Sequence, residues 1–355
     1  MRELKDIIEN QIINRLSSSF SRSPNQLNKI HESDAEIIEI DNSAFNLAIT
    51  IDTISEEIKT GLYSDPYLIG WMSVMVNLSD LAAVGASPIG IVISQILPQN
   101  LSNDFIEKLQ QGINDACSKC GTFILGGDTN FGDERIITGC AIGTVEKNKF
   151  ITRMGIKPGD KIYSTGRLGF GNAYAAEKLL LMNSQKDFRL NERDTLKYLP
   201  SAKLEWKNLL IKYASSCIDT SDGLLSSLDQ LIRLNNVGFR ITNDLGNVID
   251  DASKDLFNKF NIPIWVLLAG EHGEFELLFS ISSEKEKEFL NEVNILNLNP
   301  VLIAESIDET VINLKIYNKT QVIDSQKIRN LAFEKDFSPK KYLQKLLEID
   351  EELKK

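Results

Sequence analysis

Histidine is nearly missing from this chain: of 355 residues, only His31 and His272 are histidines. A Ser-His-Asp triad or a histidine-built zinc site has little to draw on, which turns attention away from acyl transfer and zinc chemistry. Cysteine is scarce too. Cys117, Cys120, Cys140 and Cys217 are too few for a disulfide framework, so the expected state is four reduced thiols. Cys117-Ser118-Lys119-Cys120 has the spacing of half a zinc site, but no second pair and no His-x-x-x-His completes it. No run approaches the roughly 18 apolar residues that span a bilayer, and no early segment joins a basic start to an apolar run, so the expected location is cytoplasmic. Positive charge is in deficit. With 39 Lys and Arg against 50 Asp and Glu the net charge is -11, which on average repels nucleic acid and anionic membranes alike. Gly-x-x-x-x-Gly-Lys-Ser/Thr does not occur, which excludes an ordinary P-loop.

What the chain does have is aspartate placed where apolar segments break into small residues. Asp80 lies in Asn77-Leu78-Ser79-Asp80-Leu81-Ala82-Ala83, Asp128 in Leu125-Gly126-Gly127-Asp128-Thr129, and Asp219 and Asp222 in Ile218-Asp219-Thr220-Ser221-Asp222-Gly223-Leu224. Asp34 opens one apolar segment, and Asp52 ends another. Taken singly, each has a plain reading: Ser221 or Asp222 as the N-cap of a helix from Leu224, Asp128 as a turn residue, Asp80 as a solvated helix residue. Taken together, carboxylates converging without cations would repel one another and raise their pKa values, whereas Mg²⁺ would relieve the repulsion and bridge them to nucleotide phosphates.

The pattern along the chain predicts an α+β or α/β protein of two domains. Residues 2–16 read as an amphipathic helix, followed by a Ser/Asn-rich connector that has the composition of a mobile segment, the two together making up residues 1–29. Segments 35–40 and 46–51 read as a strand pair, Pro66 starts a long apolar helix, and 89–97, 121–125 and 135–145 read as strands around a helix over 104–117. This is the first domain, 30–150, with a mixed sheet. Lys157-Pro158-Gly159-Asp160 marks the boundary to a second α/β domain, 151–335. Its strands are expected at 161–165, 237–241, 275–281, 301–304 and 311–316, and its helices at 172–181, 202–214 and 224–234. A charged helix closes the chain within 336–355.

Two further motifs carry chemistry. Gly166-Arg167-Leu168-Gly169-Phe170-Gly171 follows a strand and precedes a helix, so its N–H groups suit either an anion or simply a tight turn. In Gly270-Glu271-His272-Gly273-Glu274-Phe275-Glu276, strand alternation would put Glu274 and Glu276 on one face, toward a substrate pocket or toward solvent at a sheet edge.

These motifs in this order resemble the AIR synthetase superfamily and, within it, most closely the thiamine-monophosphate kinase family. The match runs from Asp34 to Phe279 through Ser33-Asp34-Ala35, Ile49-Thr50-Ile51-Asp52-Thr53, 76–86, Gly126-Gly127-Asp128-Thr129, 152–160, 218–225 and 270–279. The resemblance implies an N-terminal domain that dimerises through its sheet into a barrel-like core, a C-terminal α/β domain, and ATP and Mg²⁺ as cofactors. It implies Asp34, Thr50, Asp52, Asp80, Asp128, Asp219 and Asp222 as Mg²⁺ ligands, with Gly127, Arg153 and Ser221 contacting ATP. The reaction it implies is in-line phosphoryl transfer to a small phosphate acceptor by positioning and charge neutralisation, with no catalytic side-chain nucleophile.

The departures fall on the acceptor side. The family's Gly-Asp-Asp is Glu32-Ser33-Asp34 here, and its Gly-x-His-Phe is Glu57-Ile58-Lys59-Thr60, which leaves Lys59 in place of the substrate histidine. The glutamate motif is two residues longer, so Glu271 and Glu274 both stand as substrate-binding candidates. A sibling reaction that activates a carbonyl or amide oxygen, and a non-catalytic nucleotide-binding dimer, are the alternatives.

Overall fold

The computed structural model describes residues 2–181, 195–242, 244–335 and 337–355. They form two compact units. One contains Pro24–Ile151 with Leu199–Ile211, and the other contains Met1–Ser23, Thr152–Tyr198 and Lys212–Lys355. The opening helix α1 (Ile8–Ser17) therefore belongs with the later part of the chain rather than standing apart as a first segment. The reason is a set of polar anchors: the Ile8 N–H donates to Asn330 Oδ1 at 3.0 Å, and Arg233 donates to the Glu3 carbonyl. The connector is also less loose than its composition predicts. The Leu27 N–H donates to the Ile37 carbonyl at 2.9 Å, and Asn28 Oδ1 accepts from the Ile37 N–H at 2.8 Å.

The Pro24–Ile151 unit is built on a five-stranded mixed sheet in the order β1-β2-β5-β3-β4. Its strands are β1 (Glu36–Ile38), β2 (Phe45–Thr53), β3 (Ser87–Leu97), β4 (Ile124–Phe131) and β5 (Ile136–Glu146). All neighbours run antiparallel except β3 and β4. A short helix α2 (Ser55–Thr60) follows β2, and helices α3 (Pro66–Ala83) and α4 (Asn103–Lys119) belong to the same unit. Asp65 caps α3 by accepting from the Leu68 N–H, with Pro66 in its first turn, and Ser102 caps α4 in the same way. The two helices cross on paired glycines: a Cβ at Gly70 would lie 2.0 Å from the Leu109 carbonyl oxygen, and one at Gly112 would lie 2.1 Å from that of Tyr67. Close approach buries almost the whole of α3.

Residues 46, 48 and 50 of β2 point to the buried side of the sheet, and 45, 47, 49 and 51 to the other. That other face is apolar and, among the described residues, uncovered: Phe45 is 46% and Ile51 66% exposed, with Ile49, Ile136 and Ile142 beside them. Segment 124–131, read from sequence as a strand end plus a Gly-Gly turn, is strand throughout.

The other unit holds a seven-stranded mixed sheet in the order β12-β11-β8-β10-β6-β9-β7. Its strands are β6 (Lys161–Ser164), β7 (Ala214–Asp219), β8 (Gly238–Ile241), β9 (Leu277–Ile281), β10 (Val301–Ile307), β11 (Ile312–Ile316) and β12 (Lys319–Ile323). The helices are α5 (Phe170–Ala176), α6 (Lys207–Tyr213, which begins in Leu199–Ile211), α7 (Leu224–Asn235), α8 (Leu245–Val248), α9 (Asp251–Lys259), α10 (Glu286–Ile295), α11 (Ser325–Asn330) and α12 (Pro339–Leu353). The helix expected over 202–214 stops one residue early, where β7 begins. The closing helix α12 is part of this unit's core: Leu346 is buried, and Tyr342 donates to the Ala269 carbonyl at 2.7 Å. Among the described residues neither sheet closes into a barrel.

Candidate functional site

Alternation along β2 puts Thr50 and Asp52 on the buried face, below the C-terminal half of α3. Asn77 and Asp80 sit three residues apart on that helix and so share a side. Thr50 Oγ1 donates to Asp80 Oδ2 at 2.5 Å, and the Asp52 N–H donates to Asn77 Oδ1 at 3.1 Å. Asp34 comes in ahead of β1, with a carboxylate oxygen within 4.8 Å of one from Asp80. Burial pushes the Asp52 carboxyl above the usual carboxylate range and the Asp34 charge pushes it further, while a hydrogen bond with Asp80 pulls it down. Three carboxylates and a hydroxyl thus share one partly buried spot. A divalent cation with a preference for oxygen ligands suits this donor set. Asn77 was not singled out in the sequence, although its place one turn before Asp80 was a usable signal.

Asp128 does not join this group within the chain. It pairs with Ser94, which aligns through Thr138 with Thr53 rather than Asp52, so its side chain leaves the sheet on the uncovered face. Three strand spacings separate β4 from β2, about 14 Å. Asn130 Nδ2 donates to Asp128 Oδ2 at 2.6 Å on that face. Gly127, Asp128 and Thr129 also border a cleft against α4 that includes Gln110 and Asn114. Lys59 lines a second cleft together with Asp52, Thr53 and Arg135, and its ammonium lies 3.3 Å from Glu134.

In the other unit, β7 delivers Asp219 into a turn ahead of α7. Asp219 Oδ1 accepts from the Ser221 hydroxyl at 2.8 Å and from the Ser221 N–H at 3.3 Å. The N-cap of α7 is Gly223, at φ 76°, and no side chain caps the helix, so neither Ser221 nor Asp222 has the plain capping role. Arg153, Asp219, Ser221 and Asp222 line one small cleft, joined by Gln230 and Arg329. The last two gave no sequence signal.

The glutamate loop packs against this turn: the Gly273 N–H donates to the Ser221 carbonyl at 2.8 Å, and a Cβ at Gly223 would meet the Gly270 oxygen at 2.6 Å. Phe275 has φ 59°, so 270–276 is not a strand, and the alternation expected for Glu274 and Glu276 fails. Glu274 is buried. Its Oε2 accepts from the Gly169 N–H at 2.8 Å and from the Gly171 N–H at 3.4 Å. The group at the glycine-rich turn is therefore the chain's own carboxyl, which burial and the Glu276 charge push up to about 8 against those two N–H groups. Glu271 is half-buried instead, and its charge, like that of Asp222, acts on the Tyr342 phenol. Burial raises the Cys117 and Cys120 thiols to about 11 and about 12, the reverse of what zinc thiolates need.

A family model described as AIR synthase related protein, N-terminal domain, matches residues 32–145. Thiamine-monophosphate kinase from Pyrococcus abyssi is 32% identical over 255 residues, covering 72% of this chain and 78% of the relative. The chain belongs to the thiamine-monophosphate kinase family. The Methanocaldococcus jannaschii thiamine-monophosphate kinase is likewise 32% identical, over 77% of this chain and 86% of its own length. Among solved structures, AaThiL complexed with AMPPCP and TMP shares the fold at a TM-score of 0.71 and 22% identity, covering 91% of this chain and 98% of that one. Hydrogenase maturation protein HypE from E. coli also shares it, at a TM-score of 0.65 and 17% identity. Membership in a family of ATP-dependent kinases accords with carboxylates gathered without a histidine or cysteine nucleophile.

Proposed function

We propose that this protein transfers the γ-phosphoryl group of ATP to thiamine monophosphate, giving thiamine diphosphate and ADP. The observation that carries the reading is the Thr50–Asp80–Asp52 contact group with Asp34 beside it, in a chain that shares its family with thiamine-monophosphate kinases. Asp34, Thr50, Asp52 and Asp80 in one unit, and Asp219 and Asp222 in the other, are the residues that would hold Mg²⁺, which would supply charge neutralisation for the transferring group. Arg153, Ser221 and Gly127 bind the nucleotide. Lys59 offers an ammonium to the acceptor from a cleft that also contains Asp52. Glu271 is our choice over Glu274 for the acceptor, because the Glu274 carboxyl is buried against Gly169 and Gly171.

The working form in this account is a homodimer. The bare apolar face of the five-stranded sheet, with Phe45, Ile49, Ile51 and Ile142, is the kind of surface that a second copy covers. Two such faces stacked together make the barrel-like core expected of the family. Asp128 lies on that same face, so a partner copy brings it a new set of neighbours.

The test is Mg²⁺-dependent conversion of thiamine monophosphate by ATP, following both products over time. Equal formation of thiamine diphosphate and ADP supports the reading. ATP binding with no thiamine diphosphate formed removes it.

A further inference from the structure

Arg329 lies at the end of α11, far in sequence from every motif named above, yet it lines the cleft of Arg153, Asp219, Ser221 and Asp222. Its guanidinium is held from behind. Nη1 donates to Gln230 Oε1 at 2.7 Å, and Nη2 to Glu9 Oε2 at 2.9 Å. Gln230 Oε1 also accepts from Nδ2 of Asn10, a buried residue of α1. Helix α1 thus reaches two cleft-lining side chains through consecutive residues, Glu9 and Asn10.

The nearby buried carboxylate does not need Arg329. Asp229 already accepts from Arg233 through two nitrogens at 2.7 and 3.2 Å, from Arg2 at 3.2 Å and from Ser325 at 2.8 Å. Arg329 comes no closer than 3.7 Å to it. Its other ionic partner is Glu9, whose side chain is 38% exposed. An arginine fork hydrogen-bonded to an amide and to one half-exposed carboxylate, with Asp229 at 3.7 Å, stands at the wall of a cleft carrying another arginine and is laid out to receive phosphate oxygens.

We propose that Arg329 is a second guanidinium for the ATP polyphosphate, with Glu9 of α1 its ionic partner only while the cleft is empty. The inference rests on the reading of this cleft as the nucleotide site and adds a residue to it.

The test is calorimetric binding of a non-hydrolysable ATP analogue with Mg²⁺ to the full chain and to R329Q, R329K, E9Q and R153Q, with melting curves for each. R329Q should weaken binding about ten-fold, the loss of one charge-assisted contact, and R329K by less. E9Q breaks the same ion pair but keeps the guanidinium, so it should bind as tightly as the wild type or more tightly. If Arg329 only fastens α1 in place, E9Q weakens binding as much as R329Q, and the inference fails. Unchanged binding in R329Q alone also overturns it while leaving the cleft assignment intact. Unchanged binding in both R329Q and R153Q takes the nucleotide out of this cleft, and the inference with it.

Discussion

Gly139 of β5 faces Asp52 of β2 across the sheet, and its missing side chain is what lets α3 bring Asn77 against the Asp52 backbone. A Cβ at Gly139 would lie 2.5 Å from Asn77 Nδ2 and 2.6 Å from the Ser73 carbonyl oxygen. The carboxylate group therefore depends on a close approach between helix and strand as much as on the acids themselves. Gly139→Ala should cost about 1–3 kcal/mol, as overpacking does, and should lower turnover by displacing Asp80 from Thr50. Denaturant midpoints and steady-state rates check both parts.

Asp52→Asn and Asp80→Asn should each reduce thiamine diphosphate formation on the order of 10³-fold, the scale of losing a positioned electrostatic group. Both should stay folded. For Asp52→Asn the metal-free protein should melt no lower than the wild type, because the substitution removes a carboxylate whose charge burial disfavours. Melting in EDTA and activity in Mg²⁺ check the pair.

The pH dependence follows from the same group. The Asp52 pKa is raised in the fold, so its protonated form favours folding below the ordinary carboxylate pKa of about 3.9, and that contribution is lost as pH rises through the folded value. Bound Mg²⁺ favours the ionised form. The rise in melting temperature caused by Mg²⁺ should therefore be larger at about pH 7 than at about pH 5, and a constant rise would count against Asp52 as a ligand.

The two glutamates of the 270–276 loop should separate in kinetics. Glu271→Gln should raise the KM for thiamine monophosphate, whereas Glu274→Gln should leave it within about two-fold, as expected of a buried contact to backbone. Glu274 has its pKa at about 8 in the fold, so its stabilising effect is complete below about 4.5 and is lost as pH rises through about 8. Glu274→Gln should flatten the fall in stability over that range.

Ile51→Asp, on the uncovered sheet face, should convert a dimer to a monomer and lower turnover together with it. Sedimentation of the wild type and the variant, run beside activity, checks the dimer reading. A monomeric wild type would remove it.

Much of this was legible in the sequence where local period and burial agree. The β1–β2 pair and the Pro66 helix follow from strand-like apolar segments and from a proline at a helix start. Gly126-Gly127 looks like punctuation and gives Asp128 its plain reading as a turn residue, yet both glycines sit inside β4, where a Cβ at Gly127 would lie 2.0 Å from the Ile93 carbonyl oxygen. Glu274 was misread because a positive φ at Phe275 breaks the strand period, which no residue pattern announces. Arg329 and Gln230 were out of reach altogether, since only tertiary packing carries α7 and α11 to one cleft.

The central claim is that the carboxylates around Thr50 drive phosphoryl transfer to thiamine monophosphate. The direct measurement follows the γ-phosphoryl group of labelled ATP into thiamine diphosphate as Mg²⁺ is titrated, in the wild type and in Asp80→Asn. The account predicts label in thiamine diphosphate in step with ADP, saturating with Mg²⁺ and nearly abolished in the variant. ADP without labelled thiamine diphosphate, or transfer that survives Asp80→Asn undiminished, would contradict it.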